Sequence, residues 1–227
     1  MRRRYGDADS QFVDFRRPAE GTGRPLVVMI HGGFWRVRYD LKHATPLCAA
    51  LAAAGFATAN IEYRRVGEPG GGWPGTFDDV KLAVGFAREQ APQYGGDSSR
   101  TVVLGHSAGG HLALWVAAEI PDLTAVIGLA PVSSLHQTLS DNAVAGLMGG
   151  TPTQFPDRYA YADPARPTPV PRVIIHGTAD DIVPIALSRD YTAPARLIEI
   201  PGADHFAVIA PKHSAWQIVL HEVTAVL

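Results

Sequence analysis

Short aliphatic and β-branched runs alternate along this chain with segments of helical character. Residues 26–30, Leu-Val-Val-Met-Ile, lie between Pro25 and the pair Gly32-Gly33 and read as a buried strand. Residues 41–54 read as a helix with Gly55 as its C-terminal cap, and residues 56–63 as the next strand. A Gly/Pro-rich loop over 67–75 leads into a helix over 76–90. Thr76 is placed as its N-cap, and Asp78 and Asp79 suit the positive end of the helix. Further strands are expected at 100–104, 125–129, 172–176 and 197–200. Helices are expected over 111–119, between the last two strands, and over 212–226. Periodicity breaks up across 131–171, where prolines crowd in, so that segment should hold a short helix or two and no strand. Residues 11–16 supply a candidate edge strand before the parallel run.

Strands that are apolar on both faces and alternate with helices predict an α/β fold, a parallel sheet covered on both sides. Ligands in such sheets bind beyond the carboxyl ends of the strands, and every unusual cluster in this chain falls at such an end. The length of 227 residues suits one domain, and neither repeats nor linker-like stretches divide it. An apolar fraction of 46% excludes a disordered chain. Twenty basic against twenty-two acidic residues, a net charge of −2, give no reason to expect nucleic acid or an anionic membrane as partner. Met1-Arg2-Arg3-Arg4 resembles the start of a targeting signal, but no apolar stretch follows it. The longest apolar run, 47–59, is too short to cross a bilayer. The single cysteine, Cys48, forbids an internal disulfide. A soluble cytoplasmic protein, monomer or homodimer, is the expectation.

The strongest chemical signal is Gly105-His106-Ser107-Ala108-Gly109, between a predicted strand and a predicted helix. A serine on so tight a turn is held in a strained conformation with its hydroxyl raised above the sheet. A nucleophilic serine needs a base, and the base needs an acid to orient it. Among nine histidines, His205 lies in the loop after the last predicted strand and can hang over the same sheet edge. His106 and His111 are too close in sequence to swing round to Ser107. His176 suits a packing or hydrogen-bonding role, and His213 and His221 a solvated closing helix. His221-Glu222 starts like a zinc motif, but Ala225 stands where its second histidine should be. The acid should follow the strand ending at His176, where spacing alone leaves Asp180 and Asp181 equal. Glycines in His31-Gly32-Gly33-Phe34-Trp35 let the backbone turn N–H groups inward. The N–H of Gly33 or Phe34, with that of Ala108, is therefore the candidate oxyanion hole.

At these residues the chain resembles the α/β-hydrolase superfamily over nearly its whole length, with the order serine, aspartate, histidine. His176-Gly177-x-x-Asp180-x-x-Val183-Pro184 is similar to the acid loop of the esterase and prolyl-oligopeptidase-like branches, and that resemblance selects Asp180. His31-Gly32-Gly33-Phe34-Trp35 is similar to the His-Gly-Gly-Tyr-Trp of kynurenine formamidases. The resemblance implies a single domain with a modest cap over about 131–171, and a partly open pocket that Trp35, Trp73 and Met148, with Phe34 and Leu147, could line. No phosphate loop, dinucleotide fingerprint or cysteine–histidine cluster is present, so neither cofactor nor metal is expected. The expected activity is hydrolysis of small carboxylic esters through an acyl-enzyme on Ser107. Alternatives are an arylformamidase and a hydrolase-fold binding protein with little turnover.

Overall fold

The computed structural model describes residues 1–136 and 142–227. Eight strands form one sheet: β1 (Arg2–Arg4), β2 (Phe12–Arg16), β3 (Arg24–Ile30), β4 (Ala57–Ile61), β5 (Gly96–His106), β6 (Ala125–Leu129), β7 (Arg172–Gly177) and β8 (Arg196–Ile200). Their spatial order is β1-β2-β4-β3-β5-β6-β7-β8. All pairings from β4 to β8 are parallel, whereas β2 pairs antiparallel with β4 on one side and with β1 on the other. Strands β4, β6 and β7 are buried along their entire length, as apolar runs on both faces require.

Two cores lie on opposite faces. On one, α2 (Gly75–Gln90) and α3 (Ala108–Glu119) cover Val28, Ile30, Val103 and Val126. On the other, α1 (Thr45–Ala53) and α7 (Ala215–Ala225) cover Val27, Met29, Val102 and Leu104. The alternation along β3 and β5 divides their side chains between these cores. Between β6 and β7 come two short helices, α4 (Ala143–Met148) and α5 (Pro156–Ala162), and among the described residues no strand. Buried side chains of α3 hold α5 in place: His111 Nε2–H donates to Ala162 O at 2.8 Å and Trp115 Nε1–H to Tyr161 O at 3.0 Å. Helix α6 (Ala186–Arg189) joins β7 to β8.

Several local expectations are corrected. Residues 11–16 contain a strand, but it is not the outermost, because β1 lies beyond it. Arg2 forks onto Asp14 with two 2.8 Å bonds, and its guanidinium stacks 3.7 Å from the centre of the Phe12 ring. Three exposed arginines thus form the rim of the sheet, which discourages a further strand from adding there. The helix expected over 41–54 begins as a 3-10 turn, Leu41–Ala44, capped by Asp40. It becomes α-helical at Thr45, where Pro46 sits in the first turn and lacks an N–H to place.

Thr76 is not an N-cap. Its hydroxyl donates to Arg64 O at 2.6 Å and accepts from Gly72 N–H, tying the helix start to the loop after β4. Asp79 does not serve the helix end either. Fully buried, it takes a two-pronged ion pair from Arg64 at 2.8 and 2.7 Å, and further bonds from Arg64 N–H and Gln11. His213 precedes the closing helix rather than lying on it. Glu222 on α7 is buried and paired with Arg196 of β8.

Asp79→Ala leaves Gln11 and the backbone N–H and guanidinium of Arg64 without their acceptor, and should cost about 1–3 kcal/mol of stability. Asp78→Ala, one residue away and exposed, should stay within about 0.5 kcal/mol. Urea unfolding midpoints of the two variants check this.

Candidate active site

The site is built at the carboxyl ends of β3, β5, β7 and β8. β5 runs into Ser107, whose backbone takes φ 56° and ψ −119° before α3 begins. This positive φ costs a non-glycine residue about 1–3 kcal/mol, and the surroundings hold it there. Ser107 N–H donates to Leu129 O at 2.9 Å, and Ser107 O accepts from His111 and Val132 N–H at 3.1 Å each. Close packing explains the flanking glycines. A Cβ on Gly105 would come 2.0 Å from Gly109 O, and one on Gly109 would come 2.2 Å from Ile30 O.

The turn after β3 lies against this elbow. A Cβ on Gly32 would meet Ser107 Cβ at 3.0 Å. Gly33, Phe34 and Trp35 follow with φ of 114°, 55° and 56°, a sharp left-handed excursion of the backbone. Trp35 is fully buried, and its indole N–H donates to Ala108 O at 3.1 Å, joining the turn to the first residue of α3. Expected to line a pocket, Trp35 is instead a core residue that fixes the turn.

Beneath the turn, His31 is held on both ring nitrogens. Nε2 meets Glu62 Oε1 at 2.7 Å and Nδ1 meets Gly32 O at 2.7 Å. Glu62 also accepts from Leu41 N–H and Tyr63 N–H and lies 3.1 Å from Arg65. Burial alone would raise its pKa, but the charge and hydrogen bond of His31, then Arg65, hold it below the usual carboxylate range. On the other side of the turn, Gly32 N–H donates to His43 Nε2 at 3.3 Å. Burial, then repulsion from His31, lowers the pKa of His43 to about 4, so at neutral pH its lone pair is free to accept that bond.

His205 follows β8 and Asp180 follows β7. His205 Nδ1 and Asp180 Oδ2 are 2.6 Å apart, and both side chains are buried. Asp180 accepts on both oxygens. Ile182 and Val183 N–H bond Oδ1 at 2.9 and 2.8 Å, while His176 Nε2–H bonds Oδ2 at 3.1 Å. Burial opposes ionisation, but the hydrogen bonds from His176 and His205 and from the backbone outweigh it. The carboxyl stays well below its usual range. His176 is oriented in turn by Ser188 Oγ at 2.7 Å, the hydrogen-bonding role expected of it. Asp181, its neighbour, is exposed. His106 Nε2–H donates to His205 O at 3.0 Å, and the two rings lie 4.6 Å apart, so the residue before Ser107 supports the histidine loop.

The structure therefore brings together the Ser107 elbow, the Gly32–Trp35 turn with Ala108, and the Asp180–His205 pair. Of the expected pocket residues, Phe34 lies partly exposed in that turn, whereas others are buried away from any ligand. Met148 and Leu147 are buried in the core like Trp35, and offer no face to a ligand. Trp73 is partly buried against Phe77 and Tyr161, each at 5.4 Å, on the α2 side. His43 and Glu62 were missed. Glu62, a charged residue at the carboxyl end of a buried strand, was the available signal. Among the described residues, no cluster of His, Cys, Asp or Glu could hold a metal ion, and no helix is long and apolar enough to cross a membrane.

A serine elbow on a parallel sheet, with an aspartate and a histidine placed after later strands, is the arrangement of the α/β-hydrolase fold. A protein-family profile described as BD-FAE matches residues 13–124. Esterase LipQ of Mycobacterium tuberculosis is 30% identical over 84% of this chain and 52% of its own length. Esterase LipC of the same organism is 28% identical over 88% of this chain and 58% of its own. The chain thus spans between half and three-fifths of these curated relatives. Among solved structures, the propionate-bound Est2 esterase of Thermogutta terrifontis aligns with a TM-score of 0.76 at 22% identity, covering 99% of this chain and 92% of that one. A truncated carbohydrate esterase from gut microbiota gives 0.81 at 23%, covering 98% and 94%. These likenesses give the chain the α/β-hydrolase fold.

Acid should weaken the fold through the buried histidines. His111, fully buried, has its pKa lowered by burial to about 4, against an ordinary value near 6.5. The folded pKa lies below the unfolded one, so the unfolded chain binds the proton first. Stability is then lost as pH falls from about 6.5 to about 4, by up to about 3 kcal/mol for this group. His111→Gln, which can still donate to Ala162 O, should flatten the fall in urea midpoint between pH 7 and 4.5. An unchanged slope would place the acid lability elsewhere.

Proposed function

We propose that this protein is a serine hydrolase that cleaves small carboxylic esters. The 2.6 Å Asp180–His205 pair beside the Ser107 elbow carries the reading. The esterases among its sequence relatives support it. His205 holds Nδ1–H toward Asp180, which leaves Nε2 as its basic nitrogen. Ser107 Oγ attacks the ester carbonyl carbon while Nε2 takes the hydroxyl proton. The carbonyl oxygen becomes an oxyanion held by the N–H of Ala108 and of Gly33 or Phe34. As the carbon–oxygen bond to the alcohol breaks, the same proton passes from Nε2 to the leaving oxygen. Water then repeats the sequence against the acyl-enzyme, releasing the acid and restoring Ser107.

Asp180 stays ionised throughout. Its place is to fix the tautomer of His205 and to balance the imidazolium. The chain acts as one domain, with residues 142–171 as its small cap; 137–141 of the expected cap lie outside the described residues.

Ser107→Ala should lower kcat by about 10⁴–10⁶-fold with the fold intact. Asp180→Asn should cost about 10³–10⁴-fold, and Asp181→Asn less than about twofold. These are read with 4-nitrophenyl acetate, alongside N-formylkynurenine. Near wild-type turnover by Ser107→Ala would overturn the mechanism. A kcat/KM for the formamide well above that for the ester would move the activity to amides.

A further inference from the structure

An apolar groove of about 640 Å3 opens between the start of α1 and the segment that follows His205. His43, Pro46 and Ala49 form one side, and Phe206, Ile209 and Lys212 the other. Ser107 does not line it, but two of its walls belong to the site. Phe206 stands edge-on to His205 with ring centres 5.2 Å apart, and lies 5.8 Å from the His106 ring. His43 takes the N–H of Gly32, the residue packed against Ser107. Phe206 nevertheless stays 52% exposed, a large apolar surface left in water beside the imidazole. A concave, mostly apolar space of this size is what a small organic group fills. Lys212 is the only formally charged residue on the groove, is itself exposed, and makes no ion pair among the described residues.

The chemistry decides which half of a substrate belongs there. The carbonyl oxygen must point at the N–H donors of the turn and of α3. The leaving oxygen must instead lie within reach of His205, which protonates it. Whatever is attached to that oxygen starts at His205, and the groove begins at Phe206, the ring edge-on to that imidazole. We propose that the groove is the subsite for the alcohol half of the ester, taking an aryl or alkyl body whose far end carries an anionic group that meets Lys212. The inference rests on the ester-hydrolase reading above.

Two pairs of rates test it. With 4-acetoxybenzoate and its neutral methyl ester, the ratio of kcat/KM should fall by about twofold to fivefold from wild type to Lys212→Gln, through KM, and return in Lys212→Arg. Comparing the ratio between enzymes cancels the intrinsic reactivity of the two esters. Ala49→Trp fills the groove from the exposed side of α1. It should lower the ratio of kcat/KM for 2-naphthyl acetate to that for methyl acetate by about tenfold. If it lowers the ratio for methyl hexanoate to methyl acetate instead, the groove holds the acyl half and the proposal is overturned. It is also overturned if both ratios stay fixed while Ser107-dependent hydrolysis of the acetates persists. Absence of all ester hydrolysis would overturn the ester reading itself, and the subsite with it.

Discussion

One residue in a strained backbone conformation organises the upper edge of this sheet. Holding Ser107 at φ 56° requires β5 to stop abruptly and α3 to start at once. A turn that tight leaves no space for side chains at positions 105 and 109, where carbonyls of Gly109 and Ile30 press in. Neighbours supply the restoring force: β6 through Leu129 O, and the residues beyond β6 through Val132 N–H. The parallel sheet is therefore more than a platform. Its central strands brace the conformation that lifts the hydroxyl.

Two histidine–carboxylate pairs flank the elbow, and their settings differ. Asp180 has both oxygens saturated by donors, so its negative charge is fixed in direction as well as in amount. That arrangement suits a group that must orient His205 without accepting its proton. His31 and Glu62, by contrast, sit under the turn and spend their bonds on backbone: Gly32 O, Leu41 N–H and Tyr63 N–H. The same pairing of residue types thus fixes an imidazole beside the serine on one side and loop shape on the other.

Much of this was legible in the sequence, for physical reasons. Strand 125–129 matches its observed bounds because a fully buried parallel strand must be apolar throughout. Ser107 and His205 were legible because glycine spacing and chain order are local properties. Asp180 was not separable from Asp181 by spacing. The distinction is one of direction: one carboxylate turns inward to His176 and His205, the other to water. Pocket residues failed for the converse reason. A tryptophan or methionine beside a motif carries the same apolar signal whether it faces a ligand or the core, and Trp35 and Met148 face the core. Thr76 and Asp79 look like helix-start residues, and long-range partners claim them instead.

The bond from Trp35 to Ala108 has a further meaning for the chemistry. In the proposed mechanism, donors on the turn and on α3 close on one oxygen atom from two separate parts of the chain. Were those parts independent, each turnover would have to bring them into register against their own thermal wandering. A rigid indole spanning the gap makes them a single body whose spacing was settled when the chain folded. The entropy of assembling that cradle is therefore lost once, at folding, and not again with each molecule of substrate.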